Sequence, residues 1–157
     1  MKIKPIKLKT LLLYVVVTLL FGVVGALLGG NTSEVYSTLI KPPLSPPGIV
    51  FPIVWSVLYA LMGTGAYILS TEKAESVNFL LKIYWIQLIL NVLWPLVFWQ
   101  LNWYAVAAII IAVLLALNLL FVILASKVNK VVSILFIPYL IWLAFALYLN
   151  IGIAVLN

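Results

Sequence analysis

A chain of 157 residues that is 67% hydrophobic and 8% charged lies outside the range of soluble domains, which are about half apolar and about a quarter charged. With a mean hydropathy of +1.31 it reads as an integral membrane protein. Its charges are nine lysines and three glutamates, net +6, with no arginine, aspartate, histidine or cysteine; this excludes Ser/His/Asp and Cys/His nucleophiles, ordinary zinc or copper sites, the commonest haem ligands and a disulfide framework.

In chain order, runs of about 20 apolar residues predict five membrane helices at about 11–28, 49–70, 79–99, 105–125 and 131–155. The fold class is therefore an all-α membrane bundle, with residues 1–157 forming a single transmembrane domain. The basic start and apolar core near the N-terminus imitate a signal peptide. The core is too long and no A-x-A-like site follows, so a retained first helix is expected. Short connections at 71–78, 100–104 and 126–130 predict antiparallel neighbours.

Lysines 2, 4, 7, 9, 73, 82, 127 and 130 fall at one end of this arrangement and Lys41 at the other. Cytoplasmic loops retain their lysines, so the N-terminus is expected in the cytoplasm, with the first loop and the C-terminus outside. Because the lysines mark segment ends rather than one interleaved aromatic face, they signal topology and not a nucleic-acid partner.

Two stripes of small residues mark close helix approach: Gly25 and Gly29, with Gly22 and Ala26 beside them, and Ala108, Ala112 and Ala116. Either fits an intramolecular seam or a dimer contact.

The first connection, 29–47, is the longest and contains "IKPPLSPPG". Pro42, Pro43, Pro46 and Pro47 fix φ and restrict the residues before them, so the loop is built stiff. Ser45 as N-cap and Pro46 at the first helical position predict that the second helix begins there. Lys41, these prolines and Gly48 form the expected lid over a binding pocket.

Three later helices carry aromatic and polar side chains at helical spacing: Trp55, Tyr59, Met62 and Gly63; Gln87, Asn91, Trp94 and Phe98; Tyr139, Trp142, Ala146 and Asn150. Amides within a membrane span, Asn118 included, must face protein or a polar ligand. Interhelical hydrogen bonding accounts for such stripes as well as ligand binding does. Trp99, Trp103, Tyr104, Trp85 and Tyr84 fit interfacial aromatic belts.

Tyr36, "LIKPPLSPPG", "VFPIVWSVLYALMG", "QLILNVLWPLVF" and "PYLIWLAFALYLN" resemble, in order and over nearly the whole chain, the motifs of the TspO/MBR family of tryptophan-rich sensory and translocator proteins. The resemblance implies a homodimeric five-helix receptor whose pocket beneath the first loop binds porphyrins or other lipophilic molecules, with no required cofactor and no metal. By motif, the binding residues are Tyr36, Trp55, Asn91, Phe98, Trp142 and Ala146; the stripes add Tyr59, Trp94 and Tyr139. Trp55 and Trp142 match the two tryptophans associated with light-dependent breakdown of protoporphyrin IX, which would make them catalytic and porphyrin a substrate. A porphyrin presents a flat apolar π-system and two propionates, for which Lys41 is a candidate partner; an interfacial snorkelling lysine is the equal alternative. Val35 and Leu44 stand where the family often has aromatics, and the C-terminal "LNIGIAVLN" lacks the family's late Trp-Arg pair and sterol motif, so no cholesterol recognition is expected.

Three function classes follow: a tetrapyrrole receptor or sensor, with or without photochemistry; a passive transporter of porphyrin, sterol or another lipophilic molecule; and a membrane partner without a ligand. Glu34, Glu72 and Glu75 all fall in connections, so no mid-membrane carboxylate is available for proton coupling.

Overall fold

The structure, a computed structural model, describes residues 7–157; the topology signal expected from Lys2 and Lys4 lies outside them. Five long helices are apolar enough to cross a membrane. They are α1 (Leu8–Gly29), α3 (Val50–Ser70), α4 (Val77–Pro95), α5 (Tyr104–Val128) and α6 (Lys130–Leu156). A short helix, α2 (Thr32–Thr38), lies within the first connection, which was expected as a stiff lid loop. The chain is an integral membrane protein.

α1, α5 and α6 extend past both ends of the expected apolar runs because flanking residues continue the helix, whereas α3 starts at Val50 and regular α4 ends at Pro95, inside the expected bounds. At the α5–α6 corner Asn129 alone separates the helices, and its side chain accepts the Val131 N–H to cap α6. The α5–α6 hairpin forms the most extensive pairing, with α1 against α3 next. Across the hairpin, Asn118 Nδ2 donates to the Phe136 carbonyl at 3.3 Å and Ser133 Oγ to that of Val122 at 2.9 Å. Such bonds join membrane helices where lipid offers no hydrophobic reward for contact.

One end of the bundle gathers Lys7, Lys9, Lys73, Lys82, Lys127 and Lys130, and the lid end carries Lys41. The lysine-rich end is tied together by Lys7 N–H to the Tyr67 hydroxyl, 2.8 Å, and Asn129 Nδ2 to Glu72 Oε1, 3.0 Å.

Pro95 ends the regular part of α4, and one turn of π-helix follows at Leu96–Gln100, closed by Leu101 N–H to the Leu96 carbonyl at 3.1 Å. A proline removes an amide donor and crowds the preceding turn, and π-turns concentrate at functional positions. Here the turn sets Phe98 inward and places Trp99 beside Tyr36.

Two expectations are corrected. The helix after the lid begins at Val50, not at Ser45–Pro46: Ser45 Oγ donates to the Pro42 carbonyl at 2.7 Å, so it closes a turn rather than capping a helix. Tyr84 is not interfacial. It is fully buried, its hydroxyl 2.5 Å from Thr18 Oγ1. The two small-residue stripes have different fates. Gly25 and Gly29 pack on Asn91, Val92, Pro95 and Trp99, an intramolecular seam between α1 and α4, whereas Ala112 and Ala116 are exposed on the flank of α5.

Candidate functional site: a cavity beneath the lid

The lid is held by its own geometry on the α6 side. Tyr36 donates from its hydroxyl to the Pro46 carbonyl at 2.6 Å. The Asn157 carboxamide pairs with both backbone groups of Ile40, at 3.0 and 2.9 Å, and Tyr148 donates to the Pro43 carbonyl at 2.7 Å. Pro42 packs so closely on Gly152 that a side chain there would lie 2.5 Å from its ring. Leu44 adopts φ 66°, left-handed backbone that ordinarily calls for glycine. Partial burial pushes the Tyr36 phenol above its ordinary pKa, with the Ser45 hydroxyl acting in the opposite direction.

Lys41 belongs to this fastening. Its ammonium donates to the Tyr36 and Leu39 carbonyls at 2.8 and 3.0 Å and lies 4.8 Å from the centre of the Tyr36 ring. A lysine on the last carbonyls of a helix is favourable because those groups lack intrahelical partners and carry the negative end of the helix dipole.

Beneath the lid lies a cavity of about 690 Å³. Its roof is Thr32, Ser33 and Tyr36 of α2 with Gly48; one wall is Phe51, Trp55 and Tyr59 of α3; the back is Asn91, Trp94, Pro95 and Trp99; and the opposite wall is the Leu19 to Ala26 face of α1. Gly22 is required there, since a side chain would run into the Tyr59 ring. The aromatic groups hold one another: Trp55 and Tyr59 are 5.4 Å apart, Tyr36 and Phe51 5.4 Å, and Trp94 and Trp99 6.2 Å. At the back, Asn91 exchanges hydrogen bonds with the Tyr139 hydroxyl at 2.9 and 3.1 Å.

Tyr36, Phe51, Trp55, Trp94 and Trp99 also line a second void of about 30 Å³, so they form a partition between two spaces. On its far side sit Phe98, Trp142 and Ala146, with Asn150 accepting from Trp94 Nε1 at 3.1 Å. That void has room for about one water. The structure therefore brings Tyr36, Trp55, Tyr59, Asn91 and Trp94 to the large cavity and Phe98, Trp142 and Ala146 to the small one. Tyr139 lines neither and positions Asn91. Of the expected lid residues, Gly48 touches the large cavity; Lys41 and the four prolines do not line it.

Phe51, Trp99 and the face of α1 were missed by sequence reasoning. Phe51 lies four residues after Pro47 and Trp99 four residues after Pro95, so each had a local signal. Met62 and Gly63 are packed, Gly63 against the backbone of α1 at Tyr14 and Val15. The Gln87 carboxamide is fully buried and finds no hydrogen-bond partner among the described residues.

A conserved-family model described as the TspO/MBR family matches residues 14–156. The chain belongs to the TspO/MBR family. It is 40% identical over 125 residues to the tryptophan-rich protein TspO of Chlorobaculum tepidum, covering 78% of each chain. To the tryptophan-rich sensory protein of Cereibacter sphaeroides it is 34% identical over 126 residues, 80% of this chain and 77% of that one. To the human translocator protein it is 34% identical over 121 residues, 73% of this chain and 70% of the relative.

Proposed function

We propose that this member of the family is a membrane receptor that binds a tetrapyrrole such as protoporphyrin IX in the cavity beneath the lid. The observation that carries the reading is a membrane-embedded space of about 690 Å³ walled by Tyr36, Phe51, Trp55, Tyr59, Trp94 and Trp99. Ligand pockets fall in the range of roughly 300–1,000 Å³ and combine apolar and aromatic walls with a few placed polar groups. Offset or edge-on contact with indole and phenol rings suits a broad π-system. Asn91, fixed by Tyr139, is the polar group inside, and the Thr32 and Ser33 hydroxyls border the roof.

In this reading the lysine-rich end is cytoplasmic, and the lid and the C-terminal end of α6 lie outside. The protein acts as a homodimer, for which the exposed Ala112 and Ala116 flank of α5 offers a close-packing surface. Any light-driven breakdown of bound porphyrin involves Trp55, on the cavity, and Trp142, behind the partition with its indole N–H unpartnered among the described residues.

Passive carriage of a lipophilic ligand is the second reading, favoured by the exposure of Val23 and Ile49 at the cavity edge. Titrating the purified protein with protoporphyrin IX, following tryptophan emission in the dark and then porphyrin absorbance under illumination, tests the proposal. Saturable quenching supports a binding site, and loss of porphyrin that disappears in Trp55→Phe or Trp142→Phe adds photochemistry. Absence of saturable quenching removes the tetrapyrrole reading. Movement of labelled porphyrin into proteoliposomes favours the carrier.

A further inference from the structure

We infer that the cavity is loaded from within the bilayer through a slot between α1 and α3, and that its ligands are membrane-partitioned amphiphiles whose polar end stays at the level of α2. The ligand part of this inference rests on the binding role proposed above; the slot itself does not.

The cavity's back is closed, because Asn91, Tyr59 and Gly25 are buried. Its α1–α3 edge is not: Val23 is 53% and Ile49 67% exposed, and Ala26, Pro52 and Ser56 are exposed with them. These residues belong to two helices that touch farther down, where Gly63 meets the backbone of Tyr14 and Val15 and Gly22 meets the Tyr59 ring. At about 1.5 Å of rise per residue, Ser56 lies about 9 Å below the start of α3 at Val50. Val23 lies equally far below the end of α1 at Gly29. The slot thus runs from the lid edge, at Ser33 and Gly48, down into the hydrocarbon zone.

Entry from the α6 side would require undoing the Asn157–Ile40 pair, the Tyr148–Pro43 bond and the Pro42–Gly152 packing. Entry through the slot breaks none of them. The polarity of the slot is graded: Thr32 and Ser33 at the top, then Ile49, Pro52, Ala26 and Val23 below. An amphiphile already oriented in the leaflet, with its polar group at the interface and its apolar body below, matches that gradient without turning over.

The experiment uses the full chain in nanodiscs of phosphatidylcholine brominated near the headgroup end of its acyl chains. The Trp55 contribution to emission is taken as the difference between the chain and Trp55→Phe. The expected result is that brominated lipid quenches Trp55, and that Val23→Phe, or Val23→Phe with Ser56→Phe, relieves the quenching while far-UV circular dichroism is unchanged. The same plugs should slow protoporphyrin association by roughly tenfold, one decade of rate. If Trp55 is not quenched, or quenching persists in both plugged variants, the slot is overturned. If quenching behaves as expected but the parent chain binds no protoporphyrin, the slot stands and the tetrapyrrole reading falls. If protoporphyrin binds and the plugs weaken Kd without changing the association rate, the loading route is overturned while the binding role stands.

Discussion

Gly63→Ala tests the α1–α3 crossing that defines the floor of the slot. A methyl group at this position would lie 2.8 Å from Val15 Cα, 2.8 Å from Thr18 Oγ1 and 3.0 Å from the Tyr14 carbonyl oxygen. Two of the three obstacles are backbone, so no rotamer change relieves the clash. Carbon atoms rest at about 3.5–4.0 Å, and α1 must therefore retreat by close to 1 Å. Overpacking costs about 1–3 kcal/mol, and where backbone has to move the upper part of that range applies, about 2–3 kcal/mol, against a gain of about 1 kcal/mol from replacing glycine within a helix. The net expectation is destabilisation by about 1–2 kcal/mol, a fall of roughly five- to thirtyfold in the folded-to-unfolded ratio. Gly48→Ala is the matched control, since its nearest contact, to the Tyr36 ring, is an ordinary 3.7 Å. Unfolding in mixed micelles with increasing dodecyl sulfate, followed by circular dichroism, gives both values. A Gly63→Ala chain as stable as its parent would refute the close crossing.

The Asn91–Tyr139 pair should behave as one unit: Tyr139→Phe and Asn91→Ala are expected to couple by about 0.6–2 kcal/mol in a double-mutant cycle of the same unfolding reaction. Asn157→Ala removes two bonds to Ile40 worth about 1 kcal/mol each, so hydrogen exchange at the Ile40 amide should accelerate by about ten- to thirtyfold while amides of α4 are unaffected. Leu44→Gly relieves a left-handed backbone that costs about 1 kcal/mol and should leave thermal stability equal or higher, whereas Leu44→Ile should lower it. Tyr36 has its pKa raised from 10.0, so its protonated form is the one favoured in the docked lid. Its contribution is complete below the unfolded value and is lost as pH rises through the folded one. The difference in thermal midpoint between the chain and Tyr36→Phe should therefore shrink above about pH 10, and a difference that grew there would contradict the docking of its phenol.

The five spans were legible because an apolar run of membrane length has few alternatives, and the lysines gave the relative ends of the helices in the same way. The stiffness of the lid was legible in its prolines. Its internal helix was not, since Thr32–Thr38 is polar, short and without a hydrophobic period. Ser45 and Pro46 had the residue types of a helix start, yet the left-handed Leu44 turns the chain so that Ser45 Oγ meets the Pro42 carbonyl instead. The aromatic stripes were visible as spacing. What spacing could not supply is the partition: Trp55 stands with Phe51, Trp94 and Trp99 in the wall between the two spaces while Trp142 lines the smaller one, and that depends on the π-turn after Pro95 and on how α1 leans against α4. The Ala112 and Ala116 stripe shows the converse, because small residues mark a capacity for close approach and say nothing of which neighbour takes it up.

The measurement that bears most directly on the proposed cavity is the protoporphyrin IX dissociation constant of Ala26→Phe beside Ala112→Phe. Ala26 borders the large cavity while Ala112 is exposed on α5, away from it. The account predicts that Ala26→Phe weakens binding by roughly tenfold, about 1.4 kcal/mol, and that Ala112→Phe leaves it unchanged. Equal affinity in both variants, or no saturable binding in the parent chain, would contradict it.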